Sequence, residues 1–443
     1  MMKTKAMILM LASGLMTTSA SSETLSGALS QALARNPSLA AANANFQAIY
    51  SSQFVTMADM LPQVTAFARE SRSNTDAENY ADGTVNQAFN IGDRDVDSYG
   101  VMVTQDLFTS GKNINAFRSK RAEVRSERAK LTETEQQILL ASITAYLNVL
   151  ENQSVYDLNQ QNVNVLTKQV EAVRDRFEVG VVTRTDIAQS EAALAGAQSA
   201  LLSAQANLRG AKAIYREVIG VEAGELETVT KLPRLPRDLD DAINTARREN
   251  PTLIAAKEMS SSGRLNAYSA IGAALPSITL SGSYTRTEDP ALTAIGVETE
   301  VTELVATLNV PLFRGGRAIS GISAASSYSD ALKYQVHASS DGVERGVIVA
   351  WNNYQASTSA VVAREQQIKA SKIALEGVRQ ENQLGTRTNL DVLDAEQDLL
   401  DARVGLVRAG TSQNLAAYGV LASIGRLTSD RLRIDAADIG ETE

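Results

Sequence analysis

Hydrophobic and polar residues alternate with a period of two in four segments of the chain. Val64, Ala66 and Ala68 alternate with polar neighbours in the first segment, and this alternation predicts strands with one apolar face. The predicted strands lie at about 62–72, 96–108, 276–287 and 299–312. Each has the length of about 10 to 12 residues that is typical of a tilted strand in an outer-membrane barrel. An amphipathic hairpin of a soluble sheet would show the same alternation.

A different period, of seven residues, appears in the segments between the strand pairs. Ile187, Leu194 and Leu201 recur at one heptad position, and Ala197 and Ala204 follow three residues after the last two of them. Large residues that face an alanine row indicate a coiled coil with closely approaching helices. Helices are predicted at about 24–58, 112–178, 184–219, 239–272, 316–383 and 389–424. The longest would extend roughly 100 Å, which is too long for the inside of a globular domain.

The chain repeats itself at a fixed offset. Val179-Gly180 returns as Leu384-Gly385, 205 residues later, and Asn36-Pro37 returns as Asn250-Pro251, 214 residues later. This pattern indicates two duplicated halves, at 21–220 and 239–426, with a linker at 221–238 and a C-terminal tail at 427–443. The nine-residue difference between the offsets falls between Pro62 and Phe108. We therefore expect a longer loop at about 74–95 in the first half.

The ends and the composition indicate the compartment. Lys3 and Lys5 precede an apolar stretch and a run of small residues that ends at Ala20, a pattern that predicts a secretory signal peptide at 1–20. The chain has no cysteine, which excludes disulfides, thiol chemistry and a lipidated N-terminal cysteine. The formal net charge of −9 gives no basic patch of the kind that nucleic acid requires. An exported chain favours the membrane interpretation of the strands.

Four strands cannot close a barrel. A sheet that spans lipid must close so that its edges are paired, and closed barrels begin at about 8 strands. Two chains would supply eight strands and a filled interior, whereas three would supply twelve and a lumen that could pass a solute. A homotrimer is therefore the smallest assembly that would make a useful pore.

The two helix turns carry a resemblance to a known family. Gly385-Thr386-Arg387-Thr388, followed by Asp391, and its counterpart Val179-Gly180-Val181 closely resemble the helix turn of the TolC family of outer-membrane efflux and secretion ducts. The two Asn-Pro helices and the strand exits at Leu107-Phe108 and Leu312-Phe313 also match this family. The resemblance covers essentially the whole mature chain and points to the unlipidated branch.

The resemblance implies a fold, partners and a location. The fold is that of a mixed α and β membrane protein, in which each duplicated half contains a helix, a β-hairpin and a long helical hairpin. Three chains would form a 12-strand outer-membrane β-barrel that is joined to a 12-helix periplasmic coiled-coil tunnel. The expected partners are a periplasmic adaptor protein and an inner-membrane pump of the ABC, RND or MFS type. The helix turns would dock to the adaptor through Val179, Gly180, Val181, Thr183, Leu384, Gly385, Thr386, Arg387 and Thr388.

The resemblance also implies a constriction and a gate. Asp391 and Asp394 match the aspartates that line the periplasmic constriction of the family's ducts, where three copies would form a ring of six carboxylates. Arg387 and Asp186 match positions that hold the closed tip through polar links between helices, which we call the gate latch. Asn382 replaces the tyrosine that TolC has in this latch, so part of it is weaker or replaced.

Together with the residues, the resemblance implies an exit duct in the outer membrane, extending into the periplasm, and not an enzyme. The single histidine, His337, is too isolated for a metal cluster or a catalytic triad, so no catalytic residue, metal or cofactor is predicted. Two alternatives belong to other classes: a periplasmic adaptor would need one helical hairpin with flanking β-domains, and a trimeric surface coiled-coil protein would lack the duplicated strand pairs. The cargo stays open between a drug, a polypeptide of a type I secretion system, and both.

Overall fold

The computed structural model describes residues 23–81, 84–289 and 297–432. The predicted signal peptide and residues 433–443 of the predicted tail lie outside this part of the chain. The helices and strands, in chain order, are α1 Leu25–Arg35, α2 Pro37–Ala58, β1 Gln63–Ala81, β2 Thr84–Phe108, α3 Lys112–Glu178, α4 Arg184–Ile219, α5 Leu239–Glu249, α6 Pro251–Gly272, β3 Ser277–Asp289, β4 Val297–Asn309, α7 Arg317–Gln383, α8 Asn389–Ser423 and α9 Ser429–Leu432.

Two predicted helices are each divided by a proline. The prediction of one helix at 24–58 is wrong, because Asn36 has an extended backbone with ψ of 118° and separates α1 from α2. Asn250, with ψ of 122°, separates α5 from α6 in the same way within the predicted helix 239–272. A proline disfavours the helical conformation of the residue before it. The Asn250 side chain then accepts a hydrogen bond from the backbone nitrogen of Leu253, and so begins α6.

The first hairpin is longer than predicted. Strands β1 and β2 have 19 and 25 residues, and their pairing continues from Gln63 opposite Thr104 to Ala81 opposite Thr84. The prediction of a loop at about 74–95 is therefore wrong for the described residues, which are paired strand with two register shifts. Asn, Asp and Gly are typical of loops, but pairing uses backbone groups, and these are available in polar residues too. Residues 82 and 83 lie outside the described part.

The four strands form one antiparallel sheet in the order β1-β2-β3-β4. The register places Val101 opposite Ala66 and Tyr284, so the apolar positions of neighbouring strands share one face. At Gly100, a Cβ atom would lie 2.2 Å from the carbonyl oxygen of Tyr284, so this close approach of β2 and β3 requires glycine. β1 and β4 are the edge strands of this sheet in the described part of the chain.

The chain divides into two compact units. The first contains Met1–Leu39, Glu135–Thr245 and Gly346–Glu443. In its core, Tyr146 is fully buried, and its hydroxyl lies 2.8 Å from the backbone oxygen of Glu23 and 2.7 Å from that of Glu227, so its one proton can be donated to either. Burial raises the pKa of Tyr146 to about 12. This tyrosine therefore stabilises the isolated parallel β-bridge between Glu23, which precedes α1, and Leu226 of the linker between the repeats.

The second unit contains Ala40–Thr134 and Ala246–Arg345, including the sheet. Its helices approach through small residues: the Ser119 hydroxyl lies 2.8 Å from that of Ser262, and the Ser126 hydroxyl donates to the backbone oxygen of Ala255. Among the described residues of the whole chain, none of the helices combines the length and the apolar character that a membrane-spanning helix needs.

Candidate functional site: the two helix turns

Two turns of the same geometry connect the long helices of the first unit. In the turn between α3 and α4, Gly180 has φ of +77°, and the backbone nitrogen of Val181 donates to the oxygen of Arg176 at 2.9 Å. In the turn between α7 and α8, Gly385 has φ of +79°, and Thr386 donates to Glu381 at 3.0 Å. A left-handed residue at this position favours glycine, and this turn satisfies the last carbonyls of the preceding helix.

The same capping box begins the helix after each turn. The Asp186 carboxylate accepts hydrogen bonds from the backbone nitrogen and the hydroxyl of Thr183, both at 2.8 Å. Asp391 accepts from the nitrogen of Thr388 at 2.8 Å and from its hydroxyl at 2.7 Å. These hydrogen bonds hold the pKa of Asp391 below its usual value. Asp186 and Asp391 are therefore capping residues that fix where α4 and α8 begin.

Equivalent ion pairs tie the two helices of each hairpin together. Arg174 of α3 lies 2.6 Å from Glu191 of α4. Arg379 of α7 pairs with Glu396 of α8, and both residues are displaced by 205 positions from the first pair (379 − 174 and 396 − 191). Each turn is thus a frame of one glycine, one capping box and one interhelical ion pair.

Charged and polar residues distinguish the second turn. The Arg387 guanidinium lies 2.9 Å from Glu381 and 3.9 Å from Asp391, and the Glu381 carboxylate raises its pKa. The amide of Asn382 donates to the backbone oxygen of Arg387 at 2.9 Å. The first turn has Val182 at the position of Arg387. Asn382, where the family's TolC has tyrosine, therefore braces the turn itself.

The two predicted latch residues are not paired with each other within the described chain. Arg387 contacts Glu381 and Asp391, and the Asp186 carboxylate is occupied by Thr183. A polar link between helices through Arg387 and Asp186 stays a prediction.

A different link joins the two hairpins, and it centres on Asn389. Its side-chain oxygen accepts from the Gln169 amide of α3 at 3.0 Å, and its amide donates to the Ser190 hydroxyl of α4 at 2.8 Å. The Ser190 hydroxyl in turn donates to the backbone oxygen of Asp186 at 2.9 Å. Asn389 is 8% exposed and Ser190 1% exposed. We call Asn389, Gln169 and Ser190 the amide link.

A small apolar cluster lies within one or two helical turns of the amide link. Leu166 of α3, Ala197 of α4 and Leu393 of α8 are buried against one another. Sequence reasoning missed this link because an asparagine directly after a capping threonine is typical of a solvated first helical turn. The repeat contained one signal: the equivalent of Asn389 is Arg184, which is exposed, so the two halves differ at a position where their backbones agree.

The predicted constriction residues lie one turn apart on α8. Asp394 is exposed and lines a groove between α3, α4 and α8, together with Asn162, Gln189 and Gln397. Asp391 lies three residues earlier, at the cap. Within one chain the two carboxylates share a helix face, and a ring of six would require three copies.

The turns present apolar side chains to solvent. Val179, Val181 and Leu384 are 74%, 72% and 80% exposed. Side chains of this kind, on rigid capped turns, are suited to binding another protein. Across the described residues, no group of three or more His, Asp or Glu side chains is arranged to hold a metal ion.

Comparison with known proteins gives a family and a fold. The profile of the family described as "Outer membrane efflux protein" matches residues 28–221 and 242–426. The chain is 29% identical to the outer membrane efflux protein BepC of Brucella suis, over 94% of this chain and 88% of that protein. It is 27% identical to the outer membrane protein TolC of Vibrio cholerae, over 92% of this chain and 91% of that protein.

A further relative and one solved structure extend this finding. The alkaline protease secretion protein AprF of Pseudomonas aeruginosa is 24% identical, with 92% of this chain and 84% of AprF covered. The crystal structure of the outer membrane protein VceC of Vibrio cholerae superposes with a TM-score of 0.77 at 19% identity, and the match covers 90% of this chain and 96% of VceC. That likeness concerns the fold.

Proposed function

The chain belongs to the outer membrane efflux protein family, and we propose that three copies form the exit duct through which an inner-membrane pump and a periplasmic adaptor release their cargo. The family that the turn motifs predicted is confirmed, and so are the TolC-type fold and the outer-membrane location. The observation that carries the function is the match of the family profile to both halves of the chain. The family consists of transport channels, and we propose that the chain catalyses no reaction.

The four-stranded sheet supports the trimer. Its edge strands β1 and β4 would leave backbone groups unpaired in lipid, at a cost of several kcal/mol for each group. Pairing of β4 with β1 of the next copy removes both edges. Three copies then give the predicted twelve-stranded barrel, and their long helical hairpins supply the twelve helices of the tunnel.

The gate is the second turn. Opening of a duct by its helix tips requires the α7–α8 hairpin to separate from α3 and α4. The amide link opposes this movement within one copy, because separation would break the hydrogen bonds of Asn389 with Gln169 and Ser190. The Arg387–Asp186 latch would act in addition, between copies. An adaptor that binds the open arrangement more tightly would shift the population towards it.

The constriction is formed by Asp391 and Asp394. Ionised carboxylates from three copies around one axis would attract cations and repel one another. Asp391 suits this role, because its hydrogen bonds with Thr388 hold it in the charged form and fix its position at the start of α8.

The turns dock the adaptor. Val179, Val181 and Leu384 supply the exposed apolar contacts, while Gly180, Gly385 and the capping threonines Thr183 and Thr388 keep the turn geometry. Thr386 and Arg387 lie at the tip of the second turn. The alternatives of an adaptor or a surface coiled-coil protein do not fit the family to which the chain belongs.

The cargo has two candidates. Similarity to an efflux protein favours small drugs, and similarity to an alkaline protease secretion protein favours a polypeptide. Deletion of the gene should either raise the accumulation of fluorescent dyes in the cells or remove a polypeptide from the medium. A deletion strain that changes in neither respect would contradict the proposal.

Docking can be tested separately in the same strain. Leu384→Asp should reduce export and co-purification of the adaptor while the chain still assembles as a trimer. Leu202→Asp is the control, since Leu202 is also exposed (66%) but lies on α4 away from the turns. Equal loss of export in both variants would contradict a docking role for the turn.

A further inference from the structure

The helices of the second unit pack in the order α2, α3, α6 and α7. The guanidinium of Arg128 on α3 lies 5.5 Å from the ring centre of Phe46 on α2. α3 meets α6 at Ser119 and Ser262, whose hydroxyls lie 2.8 Å apart. A Cβ atom added to Gly263 of α6 would lie 2.5 Å from a leucine of α7. Within the described part of the chain, α2 and α7 are therefore the outer helices of this row, as β1 and β4 are the edges of the sheet.

The joint between α3 and α6 has a definite register. Its second contact is the hydrogen bond that the Ser126 hydroxyl donates to the backbone oxygen of Ala255 at 2.9 Å. Along α3, Ser126 lies seven residues after Ser119. Along α6, Ala255 lies seven residues before Ser262. The two helices are therefore antiparallel at this joint, and they meet at contacts two helical turns apart.

The internal repeat transfers this joint to the outer helices. α6 corresponds to α2 at the offset of 214 residues, and α3 corresponds to α7 at the offset of 205. The two serines that meet are therefore equivalent to Ala48 of α2 and Ala324 of α7 (262 − 214 and 119 + 205). The second contact is equivalent to Ala41 with Ala331 (255 − 214 and 126 + 205). All four alanines are exposed, so both faces are open within the described chain.

A second copy of the chain is the partner that fits both faces. In the proposed duct, β4 of one copy pairs with β1 of the next. Because α2 leads into β1 and β4 leads into α7, this pairing brings α7 of one copy beside α2 of the next. We propose that these helices pack in the register of the α3–α6 joint, with Ala324 of one copy against Ala48 of the next and Ala331 against Ala41. We call these four alanines the copy seam. The proposal rests on the trimeric duct proposed above and adds the residues that meet between copies.

The copy seam differs in chemistry from the joint that it repeats. Within the chain, Arg125 of α3 lies 2.7 Å from Glu258 of α6. The equivalent positions are Asp330 of α7 and Ala44 of α2 (125 + 205 and 258 − 214), which cannot form an ion pair with each other. Alanines likewise replace the serines of the α3–α6 joint. The copy seam therefore depends on the close approach of small side chains, and a large side chain would hold the two helices apart.

Cysteine cross-linking tests the register in the full chain, which has no cysteine of its own. The matched pairs are Ala48→Cys with Ala324→Cys, and Ala41→Cys with Ala331→Cys. After oxidation, each should form disulfides between chains and give covalent trimers on a non-reducing gel. The exchanged pairs, Ala41→Cys with Ala324→Cys and Ala48→Cys with Ala331→Cys, are the controls. They lie roughly 10 Å out of register along the helix, which is more than the roughly 7 Å between Cα atoms that a disulfide can span.

The outcomes separate the copy seam from the duct. Ser119→Cys with Ser262→Cys is the positive control, which should form the equivalent disulfide within one chain. The size of the particle in mild detergent shows whether the chain is a trimer. A trimer whose matched pairs form no more disulfides between chains than the exchanged pairs would overturn the copy seam and leave the duct standing. A chain that is not a trimer would overturn the duct, and the copy seam with it.

A large side chain tests the packing of the copy seam. Ala331→Phe should lower the temperature at which the purified trimer dissociates in mild detergent, because the ring would separate α7 from α2 of the next copy. Lys333→Phe is the matched control, since Lys333 is also exposed but lies two residues further along α7, on a different face of the helix. Equal dissociation temperatures for the two variants would overturn the placement of Ala331 at the seam.

Discussion

The two helix turns of this chain have the same frame and different chemistry. Each has a left-handed glycine, a Thr-Asp capping box and an Arg-Glu pair between its helices. The second turn alone places Arg387, Asn389 and Asp394 where the first has Val182, Arg184 and Gln189. Duplication thus preserved the structure of the turn, and divergence at a few positions distinguishes the copy that we propose as the gate.

The largest expected effect comes from breaking the amide link. Asn389→Ala leaves Gln169 and Ser190 without their partner, which typically costs about 1–3 kcal/mol for buried polar groups. The open population should rise roughly 5- to 150-fold, since each 1.4 kcal/mol is a factor of ten. Single-channel recordings should show higher conductance, and cells should become sensitive to large antibiotics.

Arg184→Ala is the matched control for this substitution. It changes the equivalent position of the first turn, whose side chain is exposed. A similar rise in conductance in this variant would contradict the difference between the two turns.

A second effect should appear in ion selectivity. The double variant Asp391→Asn and Asp394→Asn removes both carboxylate charges but keeps an acceptor for the capping box. Cation selectivity and block by multivalent cations should be lost in planar bilayers, because the focused negative potential is gone. Asp186→Asn, the same change at the first turn, should leave selectivity nearly unchanged.

The pH dependence of selectivity follows from the lowered pKa of Asp391. An aspartate with a lowered pKa contributes its charge and its cap fully above the unfolded value, near 3.9. Both are lost as the pH falls through the folded value. Block by multivalent cations should therefore be constant from about pH 8 to 5 and disappear only in stronger acid. A midpoint near neutral pH would contradict this assignment.

The predicted latch should give a smaller effect. Arg387→Ala removes the contacts with Glu381 and Asp391, which are exposed and contribute little. Conductance should rise modestly while selectivity is largely kept. If Arg387 and Asp186 link neighbouring copies, the double variant should add little to either single change. Additive changes would mean that the two residues act independently.

The smallest difference is expected where the turns agree. Thr183→Ala and Thr388→Ala each remove a capping box, at a cost of about 0.5–2 kcal/mol. Because the two boxes have the same geometry, thermal unfolding should show equal destabilisation. A clearly larger loss at Thr388 would show that its cap also holds the gate.

The sequence predicted the features that depend on local chemistry and on repetition. Gly180 and Gly385 mark turns, because a left-handed residue favours glycine. The alternation of apolar and polar residues predicted which side chains share a face of the sheet, because successive side chains of a strand point to opposite faces. Val101 and Tyr284 are directly opposite each other on neighbouring strands. These signals lie within a few residues of the structures that they specify.

Features that depend on long-range pairing were not predictable in this way. The partners of Asn389 lie 220 and 199 positions away, and nothing near it in the sequence indicates burial. The extension of β1 and β2 through a polar segment was missed because strand pairing uses the backbone. The breaks at Asn36 and Asn250 were a local feature that the predicted helix ranges did not include.

Reversible cross-linking of the amide link tests the account most directly. Gln169→Cys with Asn389→Cys, joined by a short cleavable thiol reagent in the otherwise cysteine-free chain, should stop export and hold conductance low until a reductant is added. Cross-linking of Arg174→Cys with Glu191→Cys, within one hairpin, should leave export unchanged. Normal export through a duct cross-linked at positions 169 and 389 would contradict the claim that the second turn opens by separating from α3 and α4.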